Sequence, residues 1–243
     1  MTFARDPDAR REELAANLHH VQERIGAACR AAGRPRGDVA LIVVTKFFPP
    51  ADVEILFQLG VTDIGENRDQ EASAKVAALP SEVRHGLQVH FIGQLQSNKA
   101  VSLASYVDTV HSIDRDKLVR ALDRAATVAG REIGALIQVS LDGDLAGHGR
   151  GGIPTDGVAA LADSVAAAQH VTLRGVMTVA PLGVDPAKAF AQLATVAGGL
   201  RADHPSATWI SAGMSADLEA AVANGATHLR VGSAILGSRP PFG

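Results

Sequence analysis

Eight short apolar segments of strand length recur along the chain and alternate with segments of helical periodicity. The first, at residues 39–44, is β-branched and apolar on both faces, as expected for a strand buried in a parallel sheet. The other seven predicted strands cover residues 62–64, 88–92, 107–111, 135–141, 172–177, 208–210 and 228–231. Regular β-α alternation indicates parallel strands joined by right-handed crossovers, and eight such strands close a barrel. The sequence therefore predicts an α/β fold, a single (β/α)8 TIM barrel, with a doubly wound open sheet as the competing architecture.

Helices are predicted after seven of these strands and before the first one. Apolar residues recur every three or four positions from Leu14 to Ile25, and Gly33 supplies a natural stop, which predicts an N-terminal helix at 8–33. The remaining helices are predicted at 51–59, 70–78, 98–104, 115–129, 157–168, 186–202 and 216–223. We interpret the chain as one domain over residues 1–243, with the barrel at 39–239.

Composition and charge exclude several classes of protein. The 23 basic and 26 acidic residues give a net charge of −3, so the chain lacks the basic surface of a nucleic-acid-binding protein. The apolar runs are far shorter than the roughly 18 residues that a membrane span needs. The single cysteine, Cys29, cannot form an internal disulfide, and the charged N-terminus lacks the apolar core of a signal peptide, so we expect a cytoplasmic protein. The nine histidines show no zinc-ligand spacing, and no metal site is predicted.

Lys46 follows the first strand, at the barrel end where the active sites of this architecture lie. The two-residue period of a strand places it on the same side as Ile42 and Val44, pointing into the barrel mouth. A partly desolvated lysine favours its neutral form, and a neutral amine attacks aldehydes. The alternative, on position alone, is a lysine that marks a strand end and reaches solvent.

Small residues follow the seventh and eighth strands, where barrels commonly bind phosphate. Ser211, Gly213 and Ser215 come after the seventh strand, with Ser215 as a plausible N-cap of the next helix, and Gly232-Ser233 comes after the eighth. One such turn is weak evidence, but two adjacent ones predict a phosphate cradle.

Arg230 lies between the apolar residues Leu229 and Val231 and cannot lose its proton, so burial would demand a hydrogen-bond acceptor. A ring nitrogen of a ligand could be that acceptor, and a permanently charged donor would keep the ring nitrogen unprotonated. A surface arginine paired with an acid at the barrel rim is an equally good interpretation. The glycine-rich stretch at 147–152 lacks the Gly-Lys-Ser/Thr ending of a nucleotide-binding loop and is predicted to be a flexible loop.

These residues belong to a set of short motifs that together resemble one family, the pyridoxal 5'-phosphate (PLP) homeostasis proteins, also called the YggS/PROSC family. Each motif is short, but their combination from about Val39 to Arg239 is specific. The motifs are Val44-Thr45-Lys46, Gly65-Glu66-Asn67 with Gln70-Glu71, His90-Phe91-Ile92-Gly93 with Leu95-Gln96 and Asn98-Lys99, Arg174-Gly175-Val176-Met177, Ser211-Ala212-Gly213-Met214-Ser215, and Arg230-Val231-Gly232-Ser233.

The resemblance implies a barrel of the alanine-racemase N-terminal type that holds PLP as a Schiff base on Lys46 and serves intracellular PLP (vitamin B6) homeostasis. It implies a non-catalytic, monomeric carrier that contacts PLP-dependent apoenzymes transiently. It further implies that Arg230 contacts the pyridine nitrogen and that Asn67 and Met177 contact the ring. The phosphate would be held by Ser211, Gly213, Gly232 and Ser233, with Met214 beside it. Ser233 stands where many relatives have threonine, and Ala212 where many have Met or Leu.

Alanine racemases are the sharpest competing family, because they share the barrel. They use a tyrosine as a second base together with an additional C-terminal β-domain, whereas the only tyrosine here, Tyr106, is predicted at the start of the fourth strand, away from the mouth. The resemblance therefore favours PLP carriage, with a PLP-dependent amino-acid racemase of low activity as the alternative function.

Overall fold

A computed structural model describes residues 6–142 and 151–238, and in it eight parallel strands form a closed barrel in sequential order. The predicted (β/α)8 barrel is confirmed, and the open sheet is excluded. The stretch at 147–152, predicted to be a loop, lies mostly outside the described residues. The strands are β1 Ala40–Val44, β2 Asp63–Glu66, β3 Gln88–Phe91, β4 Thr109–Ile113, β5 Ile133–Gln138, β6 Val171–Met177, β7 Trp209–Ser211 and β8 His228–Val231.

Helices surround the barrel, and their N-termini use the expected capping residues in places. The Asp6 and Asp185 side chains accept hydrogen bonds from the first turns of α1 and α8, at 3.1 and 3.0 Å. The helices are α1 Pro7–Ala31, α2 Pro50–Gln58, α3 Asp69–Ala77, α4 Ser81–Gly86, α5 Ala100–Ala104, α6 Asp116–Ala129, α7 Val158–Ala166, α8 Pro186–Asp203, α9 Leu218–Ala223 and α10 Ser233–Leu236.

The structure corrects four details of the sequence prediction. Helices α4 and α10 were not predicted, because six and four residues are too few to show an apolar period. Strand β4 begins at Thr109, two residues later than expected, which moves His111 from the end of the strand to its centre. Helix α9 begins at Leu218, so its N-cap is Asp217 and not Ser215. The Asp217 carboxylate accepts a hydrogen bond from the Met214 N–H at 2.6 Å.

Alternate residues of the strands face the helices and the barrel interior. Gly65 shows this on β2: a Cβ atom there would lie 3.1 Å from Ile42 and 3.4 Å from Val44, both inward residues of β1. Outward residues such as Val43 and Ile64 belong to the apolar layer between strands and helices. Lys46 lies two residues beyond Val44, past the carboxyl end of β1.

The N-terminal helix α1 packs on the outside of the barrel against α9 and α10. Arg10 anchors it through a two-point ion pair to Asp52 of α2, at 2.7 and 3.2 Å, and through a bond to the Leu236 carbonyl at 3.1 Å. Within residues 6–142 and 151–238, no helix is long and apolar enough to cross a bilayer. The same residues contain no cluster of three or more His, Cys, Asp or Glu side chains suited to a metal ion.

Candidate functional site

Lys46 lies in the turn that follows β1 and is partly exposed. Its Nζ atom is 5.8 Å from the centre of the Phe47 ring, within the range of a cation–π contact. Phe47 itself has φ +72°, a left-handed conformation that is uncommon for a bulky residue. Such a conformation persists only where the surroundings impose it, so the backbone beside Lys46 is held in place by other groups.

The groups that hold this backbone form a buried cluster of Thr45, Glu66, Glu71 and Lys75, which we call the Lys75 cluster. The Lys75 ammonium donates to the Thr45 carbonyl at 2.7 Å, to Glu66 Oε1 at 2.7 Å and to Glu71 Oε1 at 3.2 Å. The Thr45 hydroxyl donates to Glu66 Oε1 at 2.6 Å, and the Phe47 N–H donates to Glu71. The cluster thus fixes the residues on both sides of Lys46.

The loops after β7 and β8 meet beside the end of β1. The hydroxyl oxygens of Ser215 and Ser233 are 3.4 Å apart, and the Ala234 N–H donates to Ser215 Oγ at 3.4 Å. A Cβ atom on Gly232 would lie 3.2 Å from the Val44 carbonyl oxygen, so a side chain at this position would crowd the end of β1. Two hydroxyls therefore converge close to the strand that carries Lys46.

Gly213 and Met214 lie between β7 and these hydroxyls. Gly213 has φ +91°, and a Cβ atom there would come within 2.5 Å of the Ala221 side chain. A glycine is therefore required at this position by packing and by backbone conformation, whatever ligand binds. Met214 is exposed at the surface. Ser215, which the turn chemistry predicted as part of the phosphate cradle but which the family resemblance did not include, shares the convergence.

Arg230 is buried, with 4% of its surface exposed. It donates to Ser211 Oγ at 2.6 Å and to the Thr178 carbonyl at 2.8 Å. No carboxylate among the described residues lies within ion-pair distance of it, which excludes the surface ion pair considered above. Burial lowers the pKa of Arg230 to about 10, which still leaves the side chain charged at neutral pH. Within the described residues the Asp217 charge acts on this buried cation only from beyond ion-pair distance, and burying a cation without a close anion ordinarily costs free energy.

Ser211 ends β7 and is fully buried, and its hydroxyl already has two partners. It contacts Arg230 as above and His111 Nδ1 at 3.0 Å. Its contact to a phosphate stays a prediction. His111 was not singled out from the sequence, because a histidine within an apolar strand shows neither its direction nor its partners.

Asn67 and Met177 lie at the ends of β2 and β6. Met177 is buried and pairs in register with Ser211. Asn67 is partly exposed, and Gly93 packs so closely on it that a Cβ atom would be 1.9 Å from the Asn67 carbonyl oxygen. A polar cavity of about 500 Å³ opens beside Asn67 and is also lined by Gln96 and Lys99.

Tyr106 precedes β4 and is buried. Its hydroxyl donates to Asp69 Oδ1 at 3.2 Å, and burial together with the nearby Asp69 charge raises its pKa well above the ordinary value. A tyrosine that acts as a base needs the opposite shift.

His228 predicts a pH dependence of stability. Burial, followed by the nearby His90, lowers its pKa to about 4, against about 6.5 in an unfolded chain. The unfolded chain therefore binds the proton first as the pH falls, so the contribution to stability is present above pH 6.5 and is lost towards pH 4. We expect protonation of this residue to lower the free energy of unfolding by about 3 kcal/mol between pH 6.5 and pH 4.

Urea unfolding at pH 7 and at pH 4.5 measures this loss. The variant His228→Gln should show a smaller difference between the two pH values than the wild type. The exposed His20→Gln serves as the matched control and should leave the difference unchanged. An equal loss in the wild type and in His228→Gln would contradict the assignment.

Comparisons with known proteins agree with this architecture. A family model described as alanine racemase, N-terminal domain, matches residues 11–240. A curated pyridoxal phosphate homeostasis protein of Corynebacterium glutamicum is 44% identical over 90% of this chain and 99% of its own length. The solved structure of PipY from Synechococcus elongatus with PLP bound has a TM-score of 0.77 at 34% identity, covering 92% of this chain and 100% of that one. An alanine racemase of Clostridium difficile, 13% identical with a TM-score of 0.68 over 92% of this chain and 59% of that one, shares the fold alone.

Proposed function

The chain belongs to the pyridoxal phosphate homeostasis protein family, and on this premise we propose that it binds PLP as a Schiff base on Lys46 and serves PLP homeostasis. The proposal treats the chain as a single barrel domain that acts in the cytoplasm as a monomer. It includes the release of PLP to PLP-dependent apoenzymes through transient contacts.

The observation that carries the proposal is the buried Arg230, which has no carboxylate partner among the described residues. A guanidinium has five N–H donors, and within residues 6–142 and 151–238 that of Arg230 makes two hydrogen bonds to protein acceptors. A neutral acceptor supplied by a ligand would complete its hydrogen bonds without a second buried charge. The pyridine nitrogen of PLP is such an acceptor, so the donor set fits this cofactor.

The remaining residues would each contact a different part of the cofactor. PLP supplies an aldehyde that forms a reversible covalent bond with an amine. Lys46 would provide that amine, while Ser233, Gly232 and Gly213, with Met214 beside them, would hold the phosphate next to β1. Asn67 and Met177 would contact the ring. Ser211 would contribute to the phosphate site through the loop that it begins, because its hydroxyl already has Arg230 and His111 as partners.

We further propose that the chain carries PLP without turning over a substrate. A charged Arg230 keeps a proton off the ring nitrogen, which makes the ring a poor acceptor for the electrons of a carbanion. Tyr106, the only tyrosine, holds its proton firmly against Asp69. Neither the ring environment nor a tyrosine base supports racemisation.

The test is a titration of the purified protein with PLP, followed by absorbance, borohydride reduction and peptide mapping. One reduced adduct on the peptide that contains Lys46 is expected, with no turnover across a panel of D- and L-amino acids. The absence of any adduct would overturn PLP binding, and steady racemisation would overturn the carrier role.

Ser233→Ala tests the phosphate contact. A hydrogen bond to a charged group is worth about 1.5–3 kcal/mol, so we expect the dissociation constant for PLP to rise on the order of tenfold or more. Pyridoxal, which lacks the phosphate, should bind both forms equally, and Ser105→Ala, exposed at the end of α5, should bind PLP as the wild type does. Equal losses for PLP and pyridoxal would assign Ser233 another role.

A further inference from the structure

The barrel interior contains a continuous chain of hydrogen-bonded polar side chains, which we call the interior chain. It runs from Asp63 on β2 to His90 on β3 at 3.0 Å, and from His90 to His111 on β4 at 2.9 Å. It continues across the barrel from His111 to Ser211 on β7 at 3.0 Å and ends at Arg230 on β8 at 2.6 Å. His90, His111, Ser211 and Arg230 are each at most 4% exposed.

With one proton on each imidazole, the Asp63 end sets the direction of the hydrogen bonds in the interior chain. Arg230 can only donate, so Ser211 Oγ accepts from it, and the Ser211 hydroxyl can donate its own proton to His111 Nδ1. His111 then carries its proton on Nε2 and donates to His90 Nδ1. His90 donates from Nε2 to the Asp63 carboxylate, which can only accept.

One proton on each imidazole therefore satisfies all four bonds in a single order. Burial is the main cause that lowers the pKa of His111 well below its ordinary value, and the Arg230 charge acts in the same direction, which agrees with a neutral ring. Burial opposes ionisation of Asp63, but hydrogen bonds from His90 and Thr62 leave its pKa below the ordinary value, which agrees with a carboxylate. The interior chain thus runs from the negative Asp63 to the positive Arg230, and the two charges favour the same order of protons.

Such an interior is unusual for this fold. Barrel interiors are normally filled with Val, Ile and Leu, and buried polar groups are tolerated only where each has a partner. Apolar residues at these positions would fill the barrel with less desolvation. The interior chain therefore has a role beyond packing. Arg230, at one end of it, indicates that role.

We propose that Asp63, His90, His111 and Ser211 are positioning residues that hold the Arg230 guanidinium in the orientation needed to donate to the ring nitrogen of the bound cofactor. Ser211 and the Thr178 carbonyl each accept one hydrogen bond from the guanidinium, which leaves its other N–H groups for a ligand. This inference rests on the proposed function, since it assumes that PLP binds with its ring at Arg230.

The hydrogen-bond order is testable in the ligand-free protein. Nitrogen NMR of the imidazoles should show His90 and His111 as neutral rings protonated on Nε2. A His111 ring protonated on Nδ1 instead would reverse the chain and overturn the inference.

The coupling to the cofactor is tested with PLP that carries ¹⁵N in its ring. His111→Leu breaks the interior chain, and we expect the ring-nitrogen signal to move towards that of Arg230→Gln and the dissociation constant for PLP to rise about tenfold. His111→Gln, which can both donate and accept, should restore most of the wild-type signal. Ser112→Ala is the matched control, because Ser112 is buried on the same strand and its hydroxyl has no partner among the described residues.

A second variant covers the case in which His111→Leu does not fold. Asp63→Val removes the acceptor at the partly exposed end of the interior chain and should move the same signal in the same direction. Failure of the wild type to bind PLP would overturn the proposed function and the inference together. A wild type that binds PLP, with a ring-nitrogen signal unchanged in the variants, would overturn the inference alone.

Discussion

Replacing Lys46 by alanine is expected to abolish the borohydride-reducible adduct with PLP completely. The reason is geometric: Lys46 extends from the end of β1, and Gly232 of the loop after β8 touches the same strand at Val44. We therefore expect the aldehyde of a ligand whose phosphate binds at that loop to lie within reach of this amine. The measurement is the covalent occupancy after reduction, obtained by mass spectrometry of the intact protein and of its peptides.

Two matched variants make this prediction specific. Lys46→Arg keeps the positive charge but cannot form a Schiff base, so it should also give no adduct. Lys99→Ala removes a second lysine near the mouth, which lines the cavity beside Asn67, and should retain full occupancy. An adduct in Lys46→Ala equal to that of the wild type, or one that maps to Lys99, would refute the assignment.

The sequence predicted the elements whose signal is local. The apolar strand before Lys46 and the small residues after β7 and β8 were placed correctly, because strand periodicity and turn chemistry depend only on neighbouring residues. Helix α4 and helix α10 were missed because such short helices form through packing rather than through a pattern of their own. Strand β4 was predicted two residues too early because Val107 is apolar and buried, as a strand residue would be, but lies outside the strand.

The polar groups that support the site could not be predicted. Lys75 falls in a helix where a lysine normally faces solvent, yet it is 5% exposed, because Glu66, nine residues earlier, requires a cation. His111 meets Ser211 one hundred residues later in the chain. These contacts depend on closure of the barrel, which brings together strands that are distant in sequence.

Two hydrogen-bond networks therefore flank the proposed cofactor site from different sides of the sheet. The Lys75 cluster lies outside the barrel and holds the backbone around Lys46, and the interior chain lies inside and holds Arg230. The covalent bond and the ring contact are thus supported independently. A variant in one network is expected to alter one contact and leave the other unchanged.

Replacing Lys75 by methionine is expected to lower the free energy of unfolding by about 3–5 kcal/mol at pH 8. The change leaves Glu66, which is fully buried, and Glu71 without their shared cation, and breaking a buried ion pair costs about this much. The second oxygen of Glu66 has no partner in the described structure, and without Lys75 only the Thr45 hydroxyl would still donate to this carboxylate. Urea unfolding measures the loss.

The loss should shrink as the pH falls, and this trend identifies its cause. Burial already raises the pKa of Glu66 in the wild type, and removal of Lys75 raises it further. A carboxyl whose folded pKa exceeds the unfolded one destabilises the protein at high pH and regains stability as it is protonated, so Lys75→Met should recover part of its loss between pH 8 and pH 5. Adding Glu66→Gln to Lys75→Met should recover the same free energy of unfolding at pH 8. The control Lys99→Met removes a half-exposed ion pair to Asp69 and should lower the free energy of unfolding by no more than about 1 kcal/mol. A loss in Lys75→Met that is independent of pH would show that packing, and not the unpaired carboxylate, accounts for it.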